Sequence, residues 1–167
     1  MNEHNPKRLF YGSCFALITT AFSFSIRAGI LPELGTTFNL TAEQLGFINS
    51  MWFVGFPISM VLGGIFYGTI GPKKIMIFAF FAHTLGILMT IFSGGYTGLL
   101  ISTLFIGIGN GCTEAACNPM IAAAYTGKQM NTLLNRFHMW FPGGIVIGSL
   151  VSLFMTKMEL GWEAQIW

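Results

Sequence analysis

The residues best suited to chemistry are polar side chains within the otherwise apolar stretch from Gly107 to Met120. Asn110, Glu114 and Asn118 recur every four residues, so on a helix they form one polar stripe. Because a carboxylate inside an apolar run of this length is costly to maintain, we interpret Glu114 as a functional residue. The alternative interpretation is a buried acid that only holds neighbouring helices together.

Other polar side chains lie in the neighbouring apolar segments. Asn135, Arg136 and His138 precede the sequence FPGG, and a helix rising 1.5 Å per residue would bring Arg136 and His138 to about the depth of Glu114. Arg27 lies near the far end of the first apolar segment. It would either face the protein interior or extend its long side chain to the membrane surface.

Two interpretations of Glu114 remain open at this point. A fixed ion pair with Arg136 would be structural, whereas an acid that alternates between such a pair and apolar surroundings would bind and release a proton. Both need the same residues at the same depth. We predict Glu114 as a proton-coupling residue and Arg136 as its candidate ion-pair partner. The predicted substrate-binding residues are Arg27, Asn110, Glu114, Asn118, Asn135 and His138.

The composition identifies an integral membrane protein. Hydrophobic residues make up 53% of the chain and charged residues 8%, against about 25% charged residues in soluble domains. Apolar runs of about 20 residues or more match the hydrocarbon core of a bilayer, which is about 30 Å thick. The predicted fold is all-α, a polytopic membrane helix bundle. Its five transmembrane helices are predicted at 9–31, 45–69, 75–92, 98–125 and 130–157, followed by the start of a sixth.

The charged residues between these helices predict the orientation. One side carries Lys7, Arg8, Lys73, Lys74 and Lys128, and the other carries Glu33, Glu43, Lys157, Glu159 and Glu163. The positive-inside rule therefore places the N-terminus in the cytoplasm. We expect a plasma membrane location, which would be the inner membrane in a bacterium.

Several other classes of protein are not indicated. No GxSxG, HExxH or Walker sequence occurs, so we do not predict an enzyme. The net charge of +2 is too small and too dispersed to suggest nucleic-acid binding. The three cysteines have no CxxC spacing, so neither a metal site nor a disulfide framework is indicated, and no cofactor is predicted.

Several of these features occur together in a known family. The segment from Glu114 to Pro119, the Leu134-Asn135 pair and the basic turn from Gly71 to Lys74 resemble the N-terminal half of a major facilitator superfamily transporter. Among its branches the chain is most similar to the fucose/glucose/mannose:proton symporters. The resemblance implies two six-helix halves that rock around a central sugar site, with the glutamate of the fourth helix in substrate recognition or proton coupling.

The predicted function is therefore secondary active transport of a monosaccharide or a similar small polar solute, with coupling to protons as a further expectation. The alternatives are a multidrug or metabolite exporter, and a non-transporting membrane receptor or assembly subunit. The expected partners are the solute, protons, the lipid bilayer and a second six-helix half, from a C-terminal continuation or from another copy. Residues 1–167 are interpreted as one N-terminal transmembrane half-bundle that is incomplete at its sixth helix.

Overall fold

The computed structural model describes residues 5–167, so the first four residues of the predicted half-bundle lie outside it. The described chain forms six helices and no strand: α1 (Pro6–Thr37), α2 (Ala42–Ile70), α3 (Pro72–Ile91), α4 (Tyr96–Ala124), α5 (Gly127–Lys157) and α6 (Trp162–Ile166). The first five helices are long and apolar enough to cross a membrane. The all-α prediction of five spans and the beginning of a sixth helix is confirmed.

Local sequence signals determine where the helices begin. The side chain of Asn5 accepts a hydrogen bond from the backbone N–H of Lys7 at 3.0 Å and so caps α1. Thr41 and Gln44 form a capping box at the start of α2. Each of the five long helices starts two or three residues before its predicted first residue, because the first turn belongs to the helix although it precedes the apolar run.

The predicted end of α1 is wrong. We expected the helix to stop at Leu31, before Pro32, but it continues through the proline to Thr37. A proline removes one backbone hydrogen bond and bends a helix, but it does not have to end it. Packing compensates here, since the following turn buries Leu34 completely in an apolar cluster with Ile48 and Leu99.

The fourth helix lies at the centre of the fold. It packs along both α2 and α3, while α1 packs mainly along α5 and crosses α4. Over an apolar stretch of 18 residues in each helix, 67% of the residues of α4 are buried within the protein, compared with 17% in α2 and in α5. The polar stripe predicted on α4 therefore faces protein, and α2 and α5 expose most of their apolar side chains.

Glycines allow α2 and α4 to approach closely. A Cβ atom on Gly55 of α2 would lie 2.6 Å from the carbonyl oxygen of Leu104, and one on Gly107 of α4 would lie 2.6 Å from that of Trp52. Only glycine fits at these two positions without moving a backbone. By contrast, a Cβ on Gly64 would meet no atom within 4 Å.

Candidate functional site

Glu114 lies in the middle of α4 with only 11% of its side chain exposed. The imidazole of His138 of α5 lies beside it, with Nδ1 4.0 Å from the Glu114 Oε2, and no other acidic side chain of residues 5–167 lies this close to a basic one. Because 49% of the His138 side chain is exposed, the pair joins a buried acid to an accessible base. The predicted proximity of these two side chains is confirmed.

Asn118 follows one helical turn after Glu114, and its side-chain amide lies beside the carboxylate. Its Oδ1 atom is buried and has no hydrogen-bond partner in the described part of the chain. Buried polar atoms in folded proteins are almost always paired. Asn118 therefore presents an unsatisfied buried acceptor beside the carboxylate of Glu114.

Asn110 has a different role from the other two residues of the stripe. When its amide is oriented to satisfy its neighbours, its oxygen accepts a hydrogen bond from Trp52 Nε1 at 2.8 Å. Its nitrogen donates to His83 Nδ1 at 2.8 Å and to the carbonyl oxygen of Ile106 at 3.2 Å. Since both amide hydrogens are used and the residue is 1% exposed, the structure does not support the predicted direct contact between Asn110 and a solute.

Trp52 belongs to an aromatic cluster that joins three helices, formed by Phe24 of α1, Trp52 and Phe53 of α2, and Phe141 of α5. The ring centroids are 4.7 Å apart for Phe24 and Trp52, 5.0 Å for Trp52 and Phe53, and 6.3 Å for Phe24 and Phe141. Phe53 is 56% exposed, so the cluster has an accessible apolar face. Phe141 lies one turn beyond His138 on α5, so the cluster begins about one helical turn from the pair of Glu114 and His138. The cluster was not predicted from the sequence.

Arg27 is buried inside the protein. The residue is 5% exposed, it has no acidic side chain within 4.0 Å, and its Nη2 atom has no hydrogen-bond partner among residues 5–167. The alternative that its side chain extends to the membrane surface does not agree with this burial. Arg27 follows Phe24 by three residues, so it lies on the same side of α1 as the aromatic cluster.

Arg136 and Asn135 do not join this site. Both residues are exposed, and Arg136 lines a groove between α1 and α5 with Tyr11 and Trp140. Two residues along a helix are about 200° apart, so Arg136 and His138 point in nearly opposite directions. The predicted ion pair between Glu114 and Arg136 is wrong for this reason, and His138 takes the place of the arginine.

The described helices and this buried polar site are those of a polytopic membrane protein with polar side chains in its interior. The chain belongs to the Major Facilitator Superfamily, whose sequence profile matches residues 13–167. The superfamily resemblance inferred from the sequence is confirmed. The narrower resemblance to fucose/glucose/mannose:proton symporters remains a prediction.

Curated proteins similar to this chain are named as transporters of different small solutes. A putative niacin/nicotinamide transporter of Bacillus subtilis is 23% identical over 146 residues, which cover 87% of this chain and 36% of that protein. A probable chloroplastic anion transporter of Oryza sativa is 24% identical over 158 residues, with coverages of 90% and 29%. A hexuronate transporter of Bacillus subtilis is 26% identical over 139 residues, with coverages of 79% and 31%. The chain thus spans about a third of the length of these relatives. Their names agree with the prediction that it is not an enzyme.

Proposed function

We propose that this chain forms the N-terminal half of a secondary active transporter that moves a monosaccharide or a similar small polar solute together with protons. The main support is the position of Glu114, a carboxylate buried at the centre of a membrane-length helix and 4.0 Å from a half-exposed histidine. An ionisable group inside a membrane protein usually marks the path of a solute or a proton. The names of the similar transporters support the class of function.

The groups around Glu114 suit a small hydroxylated solute. The carboxylate accepts hydrogen bonds, Asn118 offers an unpaired acceptor, and His138 can donate or accept. Each sugar hydroxyl both donates and accepts, and a buried polar group left unpaired costs about 1–3 kcal/mol. The exposed face of the aromatic cluster would pack against the less polar face of a sugar ring.

Proton coupling would use the same carboxylate. The 4.0 Å separation of Glu114 and His138 would change as the helices move, so the carboxylate would bind its proton in one arrangement and release it in the other. Rocking of one helix bundle against another would alternate these two arrangements. The proton would then bind and leave at the same site that recognises the solute.

The proposal includes a second half-bundle and an orientation. The exposed apolar side chains of α2 and α5, such as Ile58 and Leu150, are suitable for packing against another set of helices. In this arrangement the side with Lys73, Lys74 and Lys128 faces the cytoplasm of a plasma membrane.

Uptake by liposomes tests this function. The protein expressed from its complete gene would be reconstituted, and accumulation of labelled monosaccharides would be followed after an inward proton gradient is imposed. We expect accumulation by wild type and by Glu159→Gln, which alters an exposed acid far from the site, and none by Glu114→Ala. If no sugar or sugar derivative enters faster than it enters empty liposomes, the proposed function is wrong.

Export of an apolar metabolite is a second candidate, because the aromatic cluster gives the site a large apolar face. The same liposomes distinguish the two candidates. An exporter of this kind would move an aromatic dye such as ethidium, and its transport would not be inhibited by excess monosaccharide.

A further inference from the structure

Arg27 is a buried charge for which the described chain provides no counterion. Glu114 is paired with His138, and Glu33, six residues beyond Arg27 on α1, lies with Glu163 beside Gly161 and more than 4.0 Å from the arginine. A guanidinium group has five N–H donors and stays charged at all physiological pH values. Removing such a charge from water without a partner is strongly unfavourable. Its position therefore indicates a negatively charged group other than the acids of residues 5–167.

The surroundings of Arg27 show where that group would lie. Arg27 is one turn beyond Phe24 on α1, and His138 is one turn before Phe141 on α5, while the rings of Phe24 and Phe141 are 6.3 Å apart. Gly144 packs against Ile18 and Ala21, and Ser152 packs against Gly29, so with a rise of 1.5 Å per residue Arg27 lies about 20 Å beyond His138 along the bundle. The turn of α1 that follows Arg27 carries Ile30, which is buried in the apolar cluster of Leu34 and Ile48. The aromatic cluster thus lies between the arginine on one side and the pair of Glu114 and His138 on the other.

We propose that Arg27 binds an oxyanion, in particular a carboxylate, of the transported solute. This inference rests on the proposed transport function and narrows its substrate class from neutral sugars to small acids such as sugar acids. The planar guanidinium matches two carboxylate oxygens with two parallel hydrogen bonds. The ring of such a solute would pack against Phe24 of the aromatic cluster, one turn before Arg27 on α1.

An aspartate or glutamate side chain of the other half-bundle is a second source of a carboxylate that could pair with Arg27. The two sources predict opposite effects on the ligand-free protein. If a solute supplies the charge, Arg27 is unpaired without solute, and its replacement by a neutral side chain removes an unfavourable buried charge. If a protein carboxylate supplies it, the same replacement leaves that carboxylate unpaired and destabilises the protein.

The first experiment therefore measures thermal unfolding of the full-length protein in chloride buffer without carboxylates. We expect Arg27→Gln to unfold at a temperature equal to or above that of wild type. Arg136→Gln is the matched control, since it removes an exposed arginine from α5, and we expect it to leave the transition unchanged. A lower transition temperature for Arg27→Gln than for this control would assign Arg27 to a protein ion pair and overturn the proposal.

The second experiment compares acids with neutral partners of the same shape, namely D-glucuronate with D-glucose and nicotinate with nicotinamide. We expect at least one acid to raise the unfolding temperature of wild type and to enter liposomes, and to bind about tenfold to a hundredfold less tightly to Arg27→Gln. Arg136→Gln should behave like wild type. Equal effects of each acid and its neutral partner on wild type would overturn the proposal.

These measurements distinguish a failure of the oxyanion site at Arg27 from a failure of the transport function. If D-glucose is accumulated by wild type and equally by Arg27→Gln, the proposed transport function stands and the role of Arg27 in binding an oxyanion is wrong. If an acid binds and stabilises wild type through Arg27 but no solute crosses the membrane, the oxyanion site stands and the transport function is wrong.

Discussion

Close packing of α2 on α4 predicts that Gly107→Ala destabilises the protein although alanine is the better helix former. The new Cβ would lie 2.6 Å from the Trp52 carbonyl oxygen and 3.0 Å from its Cα atom. Non-bonded carbon atoms rest at about 3.5 Å or more, so the two backbones must separate by about half an ångström. Overpacking of this kind costs about 1–3 kcal/mol, and the better helix propensity of alanine offsets about 1 kcal/mol of that cost.

Gly64→Ala is the matched control for this prediction. It makes the same substitution inside α2, where the added methyl group meets no atom within 4 Å. We therefore expect Gly107→Ala to be about 1–3 kcal/mol less stable than Gly64→Ala. Both variants gain the same helix propensity, so this gain does not contribute to the difference. Reversible unfolding in mixed micelles of dodecyl maltoside and dodecyl sulfate, followed by circular dichroism, measures it. Equal stability of the two variants would refute the inferred backbone contact.

Two further predictions concern the hydrogen bonds of α4 and the orientation of the helices. Asn110→Ala leaves Trp52 Nε1 without its acceptor and should lower the free energy of unfolding by about 1–3 kcal/mol. Asn118→Ala should lower it less. A larger loss for Asn118→Ala than for Asn110→Ala, measured by unfolding in micelles, would contradict the hydrogen bonds assigned to Asn110. Cysteine introduced at Lys73 should react with an impermeant maleimide only from the cytoplasmic side, and cysteine at Lys157 only from outside. Labelling of the Lys73 position from outside would contradict the orientation.

Features that depend on local sequence could be predicted from the sequence. The spans follow from the length of their apolar runs, and the capping box of Thr41 and Gln44 needs only residues three positions apart. The end of α1 could not be predicted in this way. It depends on the burial of Leu34 against α2 and α4, and such packing overrides the tendency of Pro32 to end a helix.

The site was predicted in part for a similar reason. Glu114 is evident because an acid in an apolar span is rare, and its depth identified His138 as a neighbour. A spacing of four residues, however, turns the helix by about 40° beyond a full circle, so Asn110 is rotated away from Glu114 toward α2 and α3. The aromatic cluster unites residues from α1, α2 and α5, and no pattern within one segment shows that those residues meet.

The role of Glu114 as the proton carrier can be measured directly with Glu114→Gln in liposomes. A glutamine resembles the protonated acid but cannot release a proton. We therefore expect the variant to exchange labelled for unlabelled solute across the membrane at a rate near that of wild type, while accumulation driven by a pH gradient is lost. Glu159→Gln should retain both activities. Accumulation by Glu114→Gln at the wild-type level would contradict proton coupling through Glu114, and loss of folding by this variant would assign the residue to holding helices together.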